Sequence, residues 1–548
     1  MNINSMQLKN EQDMKLKNLT KALFTLAIML CSWLPSFAAS NYDFTADGFQ
    51  FNILSSSEKT VTVVGLVDED VVSITMPSTV ISGSVKYTVA AIGNEAFLQC
   101  ENLASINIPS YVKTIGERAF AYCYKLESLS IGNSVETIGK GAFSYCKSLQ
   151  TIAIPNSVKT IGEWAFGYCQ SAKTINIGQS VETIDDNAFF NCNALESIKL
   201  PNTVTTIGES AFEHCTALKT VTFGNSVKEI KSRAFFYNTA LESINLPTSI
   251  TNIGEKAFSY CSSLTSISLP KGLKQLGSGI FDTCTKLESA SLPTSLLAIP
   301  DNAFRNCTEL KSINIPDSVM LIGNESFYQC FDLTQINLGK SVIGLGTNAF
   351  NSCSRLTDIT LNNSLMVISD STFYNCVALK TIDIPNSVTT IGASAFKSCH
   401  ALNDVKIGSK VKSIGDQAFW DCWELTNVYC RATTPPTCGN IFDQETIMGT
   451  LYVPTGSKPT YESTSPWCNF WTIKEMEFEG SVNSIPNDDV EVIALDGSII
   501  ISGDEIADVQ VFTSAGSLVA SGAITKVEVP AGLYIVVVNG KSHKVIVN

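Results

Sequence analysis

The chain has 548 residues, 45% of them hydrophobic and only 16% charged, with a formal net charge of −14. That composition supplies a large core and excludes a disordered chain. The acidic balance, without any Lys/Arg run, excludes a surface that tracks nucleic-acid phosphates.

At the N-terminus, Lys15, Lys17 and Lys21 precede an apolar run from Ala22 to Leu34, and Ser36-Phe37-Ala38 supplies small residues for cleavage near Ala38/Ala39. This order reads as a signal peptide over residues 1–39, with Met14 a candidate start. The run is short for a membrane span and a cleavage site follows it, which favours a signal over an anchor. Leu30 before Cys31 does not suit lipid attachment. No transmembrane span is expected in the mature chain. Residues 40–91 read as an N-terminal cap: the stretch from Phe49 to Leu66 alternates like a hairpin, and Ile74 to Val80 form an imperfect first coil.

From residue 92 to 430 the sequence repeats every 23 residues. Phe recurs in fifteen units without insertion, from Phe97 to Phe419, and a Cys follows three places later in all but one, where Asn238 stands instead. Each unit reads I-G-x-x-A-F-x-x-C-x-x-L-x-x-I-x-I-P-x-S-V-x-x. The Leu126 to Ile131 stretch predicts a short strand with alternate residues inward. Pro, Gly or Asn ends it, as at Pro109, Gly132 and Pro155. The Ser or Thr two places on suits a local hydroxyl–backbone turn. The Ala-Phe-x-x-Cys segment predicts a helical turn on the far side, which would point Cys123 and its equivalents into the core. The expected fold is therefore a β-rich α/β solenoid, a right-handed stack of about fifteen coils. One coil buries too little to stand alone, at roughly 1.5–3 kcal/mol per large apolar side chain against roughly 1–2 kcal/mol of ordering per residue, so the coils must stack. A file of buried, reduced thiols is expected, because stacked side chains run parallel and the Asn238 gap leaves no cysteine unpaired elsewhere.

This motif resembles the BspA-like bacterial surface-antigen leucine-rich repeats, over residues 92 to about 430. The resemblance implies an exported surface protein and, for some members, an adhesin toward host matrix or plasma proteins.

Beyond Cys430 the period reads as broken, and residues 431–480 are expected to form a C-terminal cap closed by Trp467, Phe470 and Trp471, with an aromatic ligand pocket as the alternative. Cys438 and Cys468 lie outside the repeat phase of the mature chain and are a candidate disulfide pair. Residues 481–548 alternate as strands with Gly at turns, predicting a small β-sandwich. The stretches Val509 to Phe512, Gly516, Leu518-Val519, Gly532 to Val536, and Lys544-Val545 resemble the sorting domain of type IX secretion, which would imply passage across the outer membrane.

Catalytic signals are lacking. The three histidines do not cluster, no C-x-x-C occurs, and nucleophile-elbow, zincin and phosphate-loop motifs are missing. The chain is read as a non-enzyme without cofactor or metal. Function is sought on the variable columns instead. On the strand face, Glu127, Lys173, Glu196, Lys219, Glu242, Glu288 and Lys311 suggest cross-strand charge pairs beside a Ser/Thr ladder. Next to the Cys file runs an aromatic column: Tyr122, Tyr145, Tyr168, His214, Tyr237 and Tyr260, with Trp164 and Trp420 nearby. It is either inter-coil packing or an exposed ridge for contact with proteins or sugars. The leading expectation is a monomeric, surface-displayed adhesin that binds host proteins. A glycan-binding protein for nutrient capture and a passive spacer are the alternatives. Ligand specificity would lie in the variable positions.

Overall fold

The computed structural model describes residues 42–478, 490–495, 498–503, 508–513, 516–530, 532–538 and 541–547. The signal peptide expected over residues 1–39 lies outside the described residues.

The described chain is a stack of coils linked by three inter-coil ladders. The first is made by the L-x-x-I-x-I segments, which pair in parallel and exact 23-residue register, as in Ile152 with Ile175 and Ile175 with Ile198. The second is made by the Thr-Ile segments, as in Ile138 with Ile161. The third runs along the Ala-Phe-x-x-Cys segment, where the N–H groups of Arg118, Phe120 and Tyr122 donate to the carbonyls of Lys140, Ala142 and Ser144 at 2.7–2.8 Å. Between ladders the chain turns tightly. Gly178 lies so close to the coil before it that a Cβ there would meet the Pro155 carbonyl oxygen at 2.2 Å. Only glycine fits that approach.

The third ladder corrects the expected helical turn. Residues two before and two after each Phe have positive φ, as in Arg118 at 52° and Tyr122 at 64°. A helix would direct these N–H groups along its own axis; the left-handed residues turn them toward the next coil instead. Such residues cost of order 1 kcal/mol each, and the inter-coil bonds offset that. The α component expected of the coils is therefore missing. Among the described residues, α-helix is confined to Gln444–Ile447 and Lys458–Glu462, beyond the repeats. The Ser column is corrected too. Ser157 Oγ donates to Val135 O at 2.6 Å, and Ser249, Ser295 and Ser387 donate likewise to the preceding coil. These hydroxyls join coils rather than closing local turns.

The interior is a file of rings and thiols. Neighbouring Phe rings stack with centroids 4.7–6.0 Å apart from Phe97 to Phe419. All fourteen ladder cysteines are buried and free. They do more than fill space: Cys123 Sγ donates to Phe97 O at 3.2 Å, Cys261 Sγ to Phe235 O at 3.4 Å, and Cys422 Sγ to Phe396 O at 3.2 Å. A thiol is cheap to bury and still carries a weak donor. Burial pushes the Cys100 and Cys261 thiols up to about 12. Asn238 breaks the file: it is fully buried, and neither its Oδ1 nor its Nδ2 has a partner.

The stack continues beyond Cys430. At the N-terminal end Ser73–Thr75 pairs in register with Ser105–Asn107, so the imperfect coil expected from Ile74 joins the stack. The hairpin Phe49–Ser55 and Thr60–Leu66 covers that end, with Thr60–Leu66 pairing Val85–Ile92. At the other end, Phe442 stands 23 residues after Phe419 and stacks on it at 5.7 Å. Thr450–Pro454 and Thr472–Met476 add two more strands to the first ladder. Trp467 and Phe470 are buried and meet Phe442 edge-on, so they close the core and form no ligand pocket. Trp471 is exposed. Cys438 and Cys468 are free thiols in the structure, the first half-buried and the second exposed, so the pairing expected of them is not made.

The last described segments form two antiparallel sheets. One joins Val490–Leu495, Ser498–Gly503 and Lys526–Glu528; the other joins Leu518–Gly522, Val509–Thr513, Gly532–Val538 and Lys541–Val547. Ile499, Ile501, Val509, Val511, Val536 and Val545 share their core.

Candidate binding surface

The positive-φ position two residues after each Phe faces the coil edge, and its side chain stacks on the same position one coil away. Tyr122 and Tyr145 lie 4.8 Å apart at 16°, and Tyr145 and Tyr168 lie 4.2 Å apart at 13°. The stack continues through Trp164 and Phe190 to His214, then to Tyr237 at 4.6 Å and on to Tyr260 at 5.6 Å. Seven of the eight candidate residues, all but Trp420, therefore join one continuous aromatic file. Their rings are half-buried, and Tyr237 is 37% exposed. Burial raises the Tyr145 and Tyr168 phenols, so they remain neutral donors at physiological pH. Ring faces are taken up by neighbours within the file. Trp420 is half-buried in a distant coil and does not join this file.

Charge is built into the same edge. Glu213 is 2% exposed and takes a bidentate fork from Arg233, with Nε to Oε2 at 2.9 Å and Nη2 to Oε1 at 2.5 Å. Ser210 Oγ donates to Oε2 at 2.6 Å, and His214 Nε2 lies 3.8 Å from Oε1. The hydrogen-bonded Glu213 carboxylate raises the Arg233 guanidinium above its ordinary value, and that guanidinium also covers the Phe236 ring at 4.2 Å. Lys147 lies over Tyr124 at 5.0 Å. Sequence reasoning missed this pair; its only signal was a Glu at the inward-leaning position after Phe212.

Further along, the same column is polar and its members hydrogen-bond to one another: Asn306 to Thr283 at 3.3 Å, Asn375 to Ser352 at 3.3 Å, and Ser398 to Asp421 at 2.9 Å. Trp423 closes it. This indole is 63% exposed, stacks on His400 at 4.0 Å and 5°, and donates its N–H to Asp421 Oδ1. On the strand face the expected charge pairs reduce to one, Lys311–Glu288 at 2.6 Å, because long exposed side chains at this spacing gain little by meeting. An open cleft of about 580 Å³ is lined by Ser243–Ile244 of the coil that carries Asn238 and Ser266–Ser268 of the next coil. Among the described residues no group of three or more His, Cys, Asp or Glu could hold a metal, and no helix is long and apolar enough to cross a membrane.

The profile of the "BspA type Leucine rich repeat region" matches six overlapping stretches that together run from residue 73 to residue 489. The chain belongs to the BspA-type leucine-rich-repeat family. A leucine-rich repeat protein from Bacteroides ovatus is 31% identical, with 71% of this chain and 94% of that one covered and a TM-score of 0.57. A leucine rich cell surface protein from Faecalibacterium prausnitzii is 29% identical over the same shares, with a TM-score of 0.41. No curated protein matches. Membership in the BspA-type family makes the solenoid a protein-interaction scaffold.

Proposed function

We propose that this chain is an exported, surface-displayed adhesin that acts as a monomer and binds host proteins along the aromatic edge from Tyr122 to Tyr260. One observation carries the reading. All fourteen equivalents from Tyr122 to Asp421 have φ between 57° and 64°. Asn and Asp tolerate that region better than Tyr, and the far half of the solenoid uses Asn, Ser, Thr, Gln and Asp there. The turn does not need aromatic rings, so the half that carries them keeps them for another purpose. A flat row of tyrosine edges, with Arg233 and Lys147 beside it, has the chemistry of protein interface anchors. Stacked faces leave no platform there for a sugar ring, which ranks the glycan reading second; the exposed indoles of Trp423 and Trp471 favour it. A role of the last domain in type IX sorting would supply the route to the surface.

The test is a panel of immobilised matrix proteins against polysaccharides, probed with the full chain and with Tyr145→Ala and Tyr237→Ala. A bound protein whose affinity falls about tenfold or more in each variant, with the unfolding midpoint retained, is the expected result. Binding confined to polysaccharides, or unaffected by both substitutions, would sink the reading.

A further inference from the structure

Two outward columns of the second ladder change character over four coils. The position after the inward Val is Lys113, Glu136, Lys159 and Glu182 early in the solenoid, and Thr389 and Lys412 late. Between them it becomes Leu297, Met320, Ile343 and Met366. The next position, Thr in most early coils, becomes Ala298, Leu321, Gly344 and Val367 over the same four coils before returning to Thr390 and Ser413. These residues point away from the Phe file, so the core does not require them to be apolar. At about 4.8 Å per coil they make a strip roughly 15–20 Å long that would be exposed on a bare solenoid.

The C-terminal domain shows the complementary anomaly. Strand Gly532–Val538 reads Leu533-Tyr534-Ile535-Val536-Val537-Val538, apolar without a break. A sheet wet on one face would alternate; a continuous run marks burial on both faces. Val536 and Val538 fill the domain's own core. Ile535 and Val537 point the other way and, with Phe512, form one buried cluster with Leu321 and Ile343, against which Ala298, Met320 and Met366 also pack. Ile343 is 7% exposed where Lys stands at the equivalent position in other coils.

We propose that the outward face of these four coils is a docking surface for the chain's own C-terminal domain, which covers it in cis and keeps an apolar strip of the solenoid out of water. Two sequence anomalies in distant parts of the chain, neither needed by its own domain, explain each other in this contact. The domain thereby folds back along the stack rather than extending from its end, and its displacement uncovers a second interaction surface distinct from the aromatic edge.

Small-angle X-ray scattering of the full mature chain tests this. The wild type is expected to scatter as a solenoid thickened at its middle. Ile343→Glu on the solenoid and Ile535→Glu on the domain each lower the docked-to-free ratio about tenfold or more and lengthen the maximum dimension. Using one variant on each partner prevents a folding defect in either from imitating release. Ile343→Glu combined with Ile535→Lys brings the compact curve back. Thr183→Glu, in the neighbouring outward column of a polar coil, leaves the curve as in the wild type. A wild-type curve that fits a freely tethered domain would overturn the proposal. So would an Ile343→Glu curve identical to wild type, or an equal response to Thr183→Glu.

Discussion

From Phe120 to Phe258 the residue two places after each ladder Phe is Tyr, Tyr, Tyr, Asn, His, Tyr and Tyr; from Phe281 to Phe419 it is Thr, Asn, Gln, Ser, Asn, Ser and Asp. Beneath that column the two halves share one interior, apart from Asn238 in the first. Phe centroids are 5.1–5.6 Å apart in the first half and 5.2–5.5 Å in the second. Thiol-to-carbonyl distances and backbone angles also agree. The scaffold therefore constrains the inside of each coil and leaves the edge free to vary, and each half has used that freedom differently. One half carries stacked rings with charged neighbours. The other carries a chain of short polar side chains that end at Trp423.

If the interior is common to both halves, alkaline stress should act on both alike, and this is the largest effect expected. An ordinary thiol ionises near 9.0, whereas the folded chain holds Cys100 and Cys261 protonated to about 12 because burial disfavours the thiolate. The stability these thiols contribute is fully present below about pH 9. Above it the unfolded chain loses thiol protons that the folded chain keeps, so stability falls as pH climbs toward 12. Denaturant melts at pH 8 and pH 11 should show this. Thiol labelling located by peptide mapping should find the ladder cysteines of both halves blocked in the native protein and open in denaturant without reductant. Early labelling of one half would break the equivalence.

Phe166→Ala and Phe350→Ala, one in each half, are each expected to lower stability by roughly 3–5 kcal/mol, read from urea midpoints. The buried charge pairs come next. Glu213→Ala removes the fork of Arg233, and Asp282→Ala leaves Arg305 only its longer contact with Glu325 at 3.4 Å in place of a fork whose Nε to Oδ1 distance is 3.0 Å. Each loss is expected at about 2–3 kcal/mol, below that of a fully buried pair because both guanidinium groups are a third exposed. Asn238→Cys works in the other direction. It removes two unpartnered buried polar atoms and returns a thiol to the Phe212 carbonyl, for a gain of about 1–2 kcal/mol in the same melts. A loss would mean that the gap in the file is needed. Smallest of all, Lys311→Ala should leave the urea midpoint where it is, since both partners of the Glu288 pair are largely in water.

Much of this was legible in advance. The 23-residue phase located the strands, the Phe file and the buried thiols, since a period without insertion leaves one way to superimpose the coils. The same signal continued to Phe442, where Pro435-Pro436 and Gly439 hid a coil whose loops differ but whose ring still stacks on Phe419. The helical turn was misread because Ala-Phe-x-x-Cys has helical spacing. Spacing does not reveal that Arg118 and Tyr122 turn left-handed to reach the next coil. The aromatic column was visible as a list of residues, but its division into a stacked file and an isolated Trp420 was not. Glu213 with Arg233, and Trp423 with His400 and Asp421, involve residues at different phases of different coils, and no single column contains them.

The sequence alone determined the period, the inward set and the burial of the cysteines, because a repeat that cannot bury itself must stack in register. Tertiary structure alone decided the direction of the Ser157 hydroxyl, the thiol bond to the carbonyl one coil back, the free state of Cys438 and Cys468, and the fold-back of the last domain onto Leu321 and Ile343. These depend on which atoms of neighbouring coils approach within hydrogen-bond or van der Waals distance, and that distance is set by the turns between strands rather than by the residues that repeat.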